Sequence, residues 1–189
     1  MQPSLFLPDP PGDLAGLAYR DALVDAAEEA ALVRAIAGLD LKPFEFHGYL
    51  GNRRTTAFGS RYDYSRERVE AAPPIPDFLA PLRAAAAGFA GLEPDQLEHV
   101  LVTEYAPGAG IGWHRDKPQF DQVVGVSLLA PCVLRFRRRT ERGWDRRSLA
   151  LEPRSAYLLS GPAREVWEHS ITAMSELRYS VTFRSRRYP

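Results

Sequence analysis

Several residue types are scarce in this sequence, and each scarcity excludes a class of protein. Cys132 is the only cysteine among 189 residues, so the chain has no internal disulfide and no thiolate-rich zinc cluster. A run of about 18 apolar residues, as a membrane-spanning helix requires, is absent. The N-terminal segment MQPSLFLPDPPGD lacks the basic and apolar parts of a secretion signal. We therefore expect a protein of the reducing cytoplasm with no membrane partner.

Lysine is also scarce, and arginine carries the positive charge. Lys42 and Lys117 are the only lysines among 24 basic residues, which balance 24 acidic ones. A net charge of zero gives no global field that would recruit nucleic acid. Seven arginines nevertheless lie between Arg135 and Arg147. They fit either an ordinary solvated surface or a local patch that binds phosphates, and the sequence leaves both open.

The first half of the chain contains two helical patterns separated by an aromatic segment. Asp25 and Glu28 have the spacing of a capping box, and Gly38 would end the helix that follows. Asp77 is placed to cap a second helix. Residues 43–70, between the two, are aromatic, basic and punctuated by glycine, without a helical period. This composition predicts short hairpin strands or a flap.

The second half of the chain reads as short strands separated by turns. The candidate strands occupy residues 99–105, 111–116, 122–129, 133–137, 148–152, 155–159, 166–170 and 178–184. So many short strands in about 90 residues predict a double-sheet jelly roll, or double-stranded β-helix. The expected fold is α+β in a single domain spanning 1–189, with N-terminal helices and a hairpin-like flap in 1–98 and the jelly-roll core in 99–189.

One pair of residues has the spacing of metal ligands on a strand. His114 and Asp116 are separated by one residue, so on a strand they would point to the same face. His169, on a later strand, would complete the set. Two histidines and one carboxylate form a facial triad that leaves positions on iron open for a co-substrate and dioxygen. Alone the pair is a weak signal, because a surface histidine and aspartate beside a turn would look the same.

The last candidate strand, RYSVTFR, supports the metal hypothesis. Its positions alternate, so that Arg178 and Arg184 share a polar face while residues 179, 181 and 183 form an apolar one. The apolar face needs a core, so the polar face would look into a cavity, where a buried arginine can bind a carboxylate bidentately. The alternative is an edge strand whose arginines lie in water.

Taken together, TEYAPGAGIGWHRD, EHS and RYSVTFR resemble the AlkB family of Fe(II)- and 2-oxoglutarate-dependent dioxygenases, best known as nucleic-acid demethylases. The resemblance is close over residues 99–184 and looser over 1–98. It implies three Fe(II) ligands, namely His114, Asp116 and His169. It implies a 2-oxoglutarate site formed by Arg178, Tyr105 and Arg184, together with Thr103 and Ser180, which replace the family's asparagines with shorter hydroxyl side chains.

The chemistry implied by the resemblance is oxidative dealkylation. Dioxygen and 2-oxoglutarate are converted to succinate and carbon dioxide, and a hydroxylated N-methyl group is lost as formaldehyde. Alkylated DNA or RNA would be the partner, and no obligate protein partner is implied. An acidic residue that reads the base in many relatives is missing from Lys117-Pro118-Gln119-Phe120. A hydroxylase or demethylase of a protein side chain or small molecule therefore remains an alternative.

Candidate substrate contacts lie in the aromatic segment, where rings could sandwich a base and arginines could bind phosphates. The candidates are Arg53, Arg54, Phe58, Arg61, Tyr62 and Tyr64. The alternative is that these aromatic residues simply pack the segment onto the core.

Overall fold

The computed structural model describes residues 14–46, 49–63 and 68–188. In chain order the elements are β1 (Leu17–Arg20), α1 (Ala26–Ala37), β2 (Lys42–Phe46), β3 (Tyr49–Phe58), β4 (Ser60–Asp63), β5 (Arg68–Ala71), α2 (Ala80–Ala90), β6 (His99–Tyr105), β7 (Ile111–His114), β8 (Phe120–Leu129), β9 (Cys132–Thr140), β10 (Gly143–Leu151), β11 (Ala156–Leu159), α3 (Gly161–Glu165), β12 (Glu168–Ile171) and β13 (Arg178–Arg186). Short 3-10 turns lie at Asp77–Leu79 and Pro94–Gln96. All eight strands expected beyond residue 98 are present, with shifted ends.

Two antiparallel sheets build the jelly roll. The larger sheet has the strand order β1-β11-β8-β13-β6-β3-β2, and the smaller has the order β10-β9-β12-β7. A buried apolar cluster joins them, with Leu134 and Phe136 from the smaller sheet and Val123 and Leu159 from the larger. The α+β fold with a jelly-roll core is therefore confirmed.

Helices α1 and α2 cover the outer face of the larger sheet. The capping box of α1 forms as predicted, since the backbone N–H groups of Asp25 and Glu28 each donate to the other's side chain at 2.8 Å. Asp77 does not cap α2; it begins a 3-10 turn, and α2 starts at Ala80. Buried members of this helix-side core include Leu32, Ile36, Leu82, Ala86, Val181 and Phe183. No helix within the three described ranges is long and apolar enough to cross a membrane.

The aromatic segment is joined to the larger sheet rather than lying over it as a separate flap. β2 and β3 form a hairpin, as predicted. β3 then continues into the sheet, where Arg54–Phe58 pair with β6. The part of the segment from Arg54 to Phe58 is therefore a strand of the larger sheet rather than a flap, because it pairs with β6.

Candidate metal centre

Two adjacent strands of the smaller sheet bring the predicted histidines together. β7 ends at His114, and β12 places His169 directly opposite it. The ring centroids are 4.2 Å apart. Asp116 was expected on the same strand as His114, but β7 ends at His114 and Asp116 lies in the loop just beyond it. The potential ligand atoms of the three residues nevertheless lie within 4.8 Å of one another.

Asp116 is oriented by two arginines from distant parts of the chain. Arg184 Nε, on β13, donates to Oδ1 of Asp116 at 2.7 Å, and Arg164 donates to its backbone carbonyl at 3.1 Å. The other oxygen, Oδ2, is buried without a hydrogen-bond partner among the described residues and lies 3.6 Å from Nε2 of His169. A buried carboxylate oxygen without a donor is costly unless a cation binds it, which suits a metal ligand.

The protonation states of the three residues also suit metal binding. His114 Nδ1 lies 2.9 Å from the carbonyl oxygen of Gly112 and must donate to it, which leaves Nε2 free to act as a ligand. Burial lowers the pKa of His114, and burial with the neighbouring His114 lowers the pKa of His169 to about 3. Burial alone would raise the pKa of Asp116, but Arg184 and the two histidines hold it well below its usual range. Neutral imidazoles and an ionised carboxylate are the forms that ligate metals.

The donor set favours non-haem iron over other metals. Two imidazoles and one carboxylate form a facial triad, which leaves three positions of an octahedral Fe(II) ion for a co-substrate and dioxygen. A structural zinc site would be closed by four ligands, often thiolates. In the part of the chain that the structure describes, this is the one cluster of three or more histidine, cysteine or acidic residues with metal-binding spacing.

Arg178 is buried on the same face of β13 as Arg184, which contacts the triad. It is 1% exposed, and its Nε donates to Ser127 Oγ at 3.0 Å. Its guanidinium lies 5.1 Å from the ring centroid of Tyr105. Its Nη1 has no hydrogen-bond partner within the described ranges. An unpartnered buried guanidinium nitrogen is costly unless an acceptor binds it, so Arg178 is suited to bind an anion such as a carboxylate.

The smaller hydroxyl residues predicted for the co-substrate site line the same cavity face. Thr103 on β6 lies directly opposite Ser180 on β13, and Tyr105 lies opposite Arg178. Both hydroxyl residues are buried, and Ser180 Oγ is 3.4 Å from Thr182 Oγ1. The structure thus gathers the predicted residues on one face; their contacts with 2-oxoglutarate stay predictions.

Two adjacent substrate candidates, Arg53 and Arg54, lie on opposite faces of β3. Arg53 precedes Arg54 on β3, so alternation places it on the inner face of the sheet, the face that carries Tyr105. Arg54 is on the helix side, where its Nε and Nη2 donate to the carboxylate of Glu104 at 2.8 Å each. Arg54 is therefore misplaced for a substrate contact at the metal.

The remaining substrate candidates are Phe58, which the structure places elsewhere, and three residues whose side chains are not described. Phe58 is buried in the helix-side core, so it does not face a substrate. For Arg61 and Tyr62 the structure describes only the backbone of β4, and Tyr64 lies outside the described residues.

Two buried residues on the same face of the larger sheet, Ser127 and Tyr157, were not predicted from the sequence. Ser127 holds Arg178 through the hydrogen bond described above. Tyr157, on β11, lies across Gly125 on β8, so closely that a Cβ on that glycine would be 2.3 Å from the tyrosine ring. A glycine in the middle of a buried strand was the available signal, because it marks a close approach by another group.

Comparison with known proteins agrees with this geometry. The profile of the 2OG-Fe(II) oxygenase superfamily matches residues 22–187. The chain is 29% identical over 188 residues to the "Alkylated DNA repair protein ALKBH8 homolog" of Arabidopsis thaliana, covering 84% of this chain and 51% of that one. It is 34% identical over 117 residues to the "Alpha-ketoglutarate-dependent dioxygenase AlkB" of Salmonella typhimurium, covering 53% and 50%.

The fold comparison extends over nearly the whole chain. The solved structure of OsALKBH1 superposes with a TM-score of 0.69 at 15% identity, covering 90% of this chain and 97% of that one. At this identity the likeness concerns the fold alone. By sequence, the chain spans about half the length of the two curated relatives.

Proposed function

Because the chain belongs to the 2OG-Fe(II) oxygenase superfamily, as an AlkB-like Fe(II)- and 2-oxoglutarate-dependent dioxygenase, we propose that it removes alkyl groups oxidatively from nucleic-acid bases. The observation that carries the proposal is a pair of incomplete sites on the inner faces of the two packed sheets. One is the triad with the unpartnered Oδ2 of Asp116, and the other is Arg178 with its unpartnered Nη1. The name of the Arabidopsis thaliana relative, an alkylated DNA repair protein homolog, supports alkylated nucleic acid as the substrate class.

Each group in the cavity has a distinct task in the proposed reaction. His114, Asp116 and His169 would hold Fe(II), and Arg178 would bind a carboxylate of 2-oxoglutarate. The iron supplies the oxidation: dioxygen, 2-oxoglutarate and an N-methyl base yield succinate, carbon dioxide and an N-hydroxymethyl base, which releases formaldehyde. The chain itself orients the reactants, and its buried apolar surroundings exclude water from the cavity.

A row of stacked arginines and tryptophans on the smaller sheet supports a polyanionic substrate. The guanidinium of Arg137 lies 4.5 Å from the ring centroid of Trp113 and 4.3 Å from that of Trp144. Arg135 lies over Trp113 and Arg139 over Trp144, at 5.1 and 5.5 Å. Trp113 precedes His114 on β7 and points to the opposite face, so the row lies on the outer face of the smaller sheet, where Arg137 also pairs with Glu168 at 2.6 Å. There it would contact parts of a polyanionic substrate that lie outside the metal site. Guanidinium and indole groups together suit phosphates and unstacked bases.

The structure also bears on how a base would be read. The first carboxylate after the His-x-Asp motif is Asp121, and Arg187 donates to it at 3.0 Å. Asp121 thus forms an exposed ion pair, and the run Lys117-Pro118-Gln119-Phe120 before it contains no carboxylate that would read a base. The proposal accordingly covers alkylated bases as a class rather than one methylated base.

The decisive experiment compares substrate classes with one readout. Succinate and formaldehyde are quantified with Fe(II), 2-oxoglutarate and either N-methylated oligonucleotides or N-methylated peptides. We expect oligonucleotides to stimulate both products in equal amounts and peptides to leave the background unchanged. Stimulation by peptides alone would contradict the proposal and favour a protein-modifying dioxygenase.

Arg53 and Arg54 form a matched pair for testing substrate binding. Arg53→Gln should weaken oligonucleotide binding and reduce the salt dependence by about one counterion, because one phosphate contact is lost. Arg54→Gln removes the same charge from the opposite face of the sheet and should leave both quantities unchanged. Equal effects of the two substitutions in a fluorescence-anisotropy salt series would show that β3 does not read nucleic acid.

We further infer that residues 1–189 act as one domain, which is supported by the pairing of β3 with β6 in a single sheet. One protease-resistant fragment in limited proteolysis is the expected result. A cytoplasmic location is also proposed; the single cysteine is compatible with it, and cell fractionation would test it.

A further inference from the structure

The position of Tyr157 is set by a glycine on the neighbouring strand. β11 pairs antiparallel with β8, and Tyr157 lies opposite Gly125. A Cβ built on Gly125 would lie 2.3 Å from the Cε1 and Cζ atoms of Tyr157 and 2.5 Å from its hydroxyl oxygen. The far end of the ring therefore lies flat over β8, and the hydroxyl points away from β11 across the sheet.

The hydroxyl end of Tyr157 lies among the groups of the cavity. Gly125 is opposite Thr182 of β13 on its other side, so the ring reaches toward the strand that carries Arg178 and Arg184. Burial raises the pKa of Tyr157, Asp116 raises it further, and the two arginines oppose them. The hydroxyl therefore lies on the face of the sheet that carries Arg178 and Arg184, and the neighbouring charges act on its pKa in opposite directions.

We propose that the Tyr157 hydroxyl is an additional 2-oxoglutarate-binding group that donates a hydrogen bond to a carboxylate of the co-substrate. Arg178 can only donate, so a carboxylate bound at its unpartnered Nη1 must accept, and a phenol O–H on the same face would add a further donor. The inference rests on the co-substrate shared by the superfamily and is independent of the nucleic-acid proposal.

Direct binding measurements test the inference without turnover. Protein loaded with Zn(II) in place of Fe(II) is titrated calorimetrically with 2-oxoglutarate and with its unreactive analogue N-oxalylglycine. Tyr157→Phe keeps the ring and removes only the hydroxyl, so affinity for both should fall by about tenfold or more, as for other hydrogen bonds to charged groups. A loss smaller than threefold would overturn the proposal.

Tyr19 supplies a matched control for the loss of one hydroxyl. It lies directly opposite Tyr157 on β1, but its hydroxyl accepts from the backbone N–H of Glu152 at 3.5 Å. Tyr19→Phe should therefore bind 2-oxoglutarate as the wild type does. An equal loss in both variants would show a general loosening of this sheet edge and would also overturn the proposal.

Gly125→Ala tests the same geometry from the other side. The added methyl group would displace the Tyr157 ring, so affinity for 2-oxoglutarate should fall at least as far as in Tyr157→Phe. In a Tyr157→Ala background the ring is gone, and Gly125→Ala should then have no further effect on affinity. Additive losses would contradict the placement of the ring, and thermal unfolding of each variant confirms that folded protein is compared.

Discussion

The two faces of the larger sheet serve different purposes although they share the same strands. On β13 the helix-side residues, such as Val181 and Phe183, are fully buried in an apolar core. The residues Arg178 and Arg184 on the other face are also buried, at 1% and 9% exposure, yet each keeps a nitrogen without a partner among the described residues. One face is complete in the folded chain, whereas the other offers unpartnered nitrogens to the co-substrate that we propose. Alternation along a single strand thus separates stability from chemistry.

The largest effect on stability should come from the helix-side face. Phe183→Ala should lower the free energy of unfolding by about 3–5 kcal/mol, because it removes a fully buried ring. Affinity of the folded protein for 2-oxoglutarate should stay within twofold of wild type. Chemical denaturation and calorimetric titration measure the two quantities, and Phe183→Leu is the milder variant if the first does not fold. A loss of co-substrate affinity with unchanged stability would reverse the assignment of the two faces.

The opposite pattern is expected for the cavity face. Arg178→Ala should weaken 2-oxoglutarate binding by about 2–5 kcal/mol, because it removes one partner of a buried charge pair. The ligand-free protein should be as stable as wild type or more so, since an unpaired buried charge has been removed. Arg83→Ala, which removes a donor to the carbonyl of Leu97, is the control and should leave co-substrate affinity intact. Unchanged affinity in Arg178→Ala would remove it from the co-substrate site.

The smallest expected effect concerns pH and His99, at the cavity-side end of β6. Burial, aided by Arg184, lowers the pKa of His99 from 6.5 to about 3. Below pH 6.5 His99 is therefore protonated in the unfolded chain but stays neutral in the folded chain. The free energy of unfolding falls as the pH drops below 6.5. From pH 6.5 to 5 this should cost about 2 kcal/mol. His99→Gln should flatten the pH profile of unfolding in metal-free protein; an unchanged slope would contradict the assignment.

Sequence patterns predicted the parts of this site that depend on local periodicity. The alternation in residues 178–184 gave the correct two-faced strand, and the jelly roll followed from the number of short strands. Asp116 was assigned to the correct cluster for an incorrect reason, because its position depends on Arg184 and Arg164 rather than on a strand. Such long-range contacts leave no periodic signal.

The misplacements of Arg54 and Phe58 have a common cause. Which face of β3 each residue occupies depends on its register against β6, and a shift of one residue would exchange the faces. The glycine-punctuated segment has no alternation from which that register could be read. Tyr157 was missed for a related reason, since its role depends on the facing glycine of another strand.

The most direct test of the central claim is stoichiometric Fe(II) binding under anaerobic conditions. Wild type and His99→Gln, which removes a buried histidine that is not a ligand, should each bind one ion per chain. His169→Ala should lose that site, and with it all 2-oxoglutarate turnover, including turnover without substrate. One tightly bound ion and full turnover in His169→Ala would contradict the assignment of His114, Asp116 and His169 as the iron site.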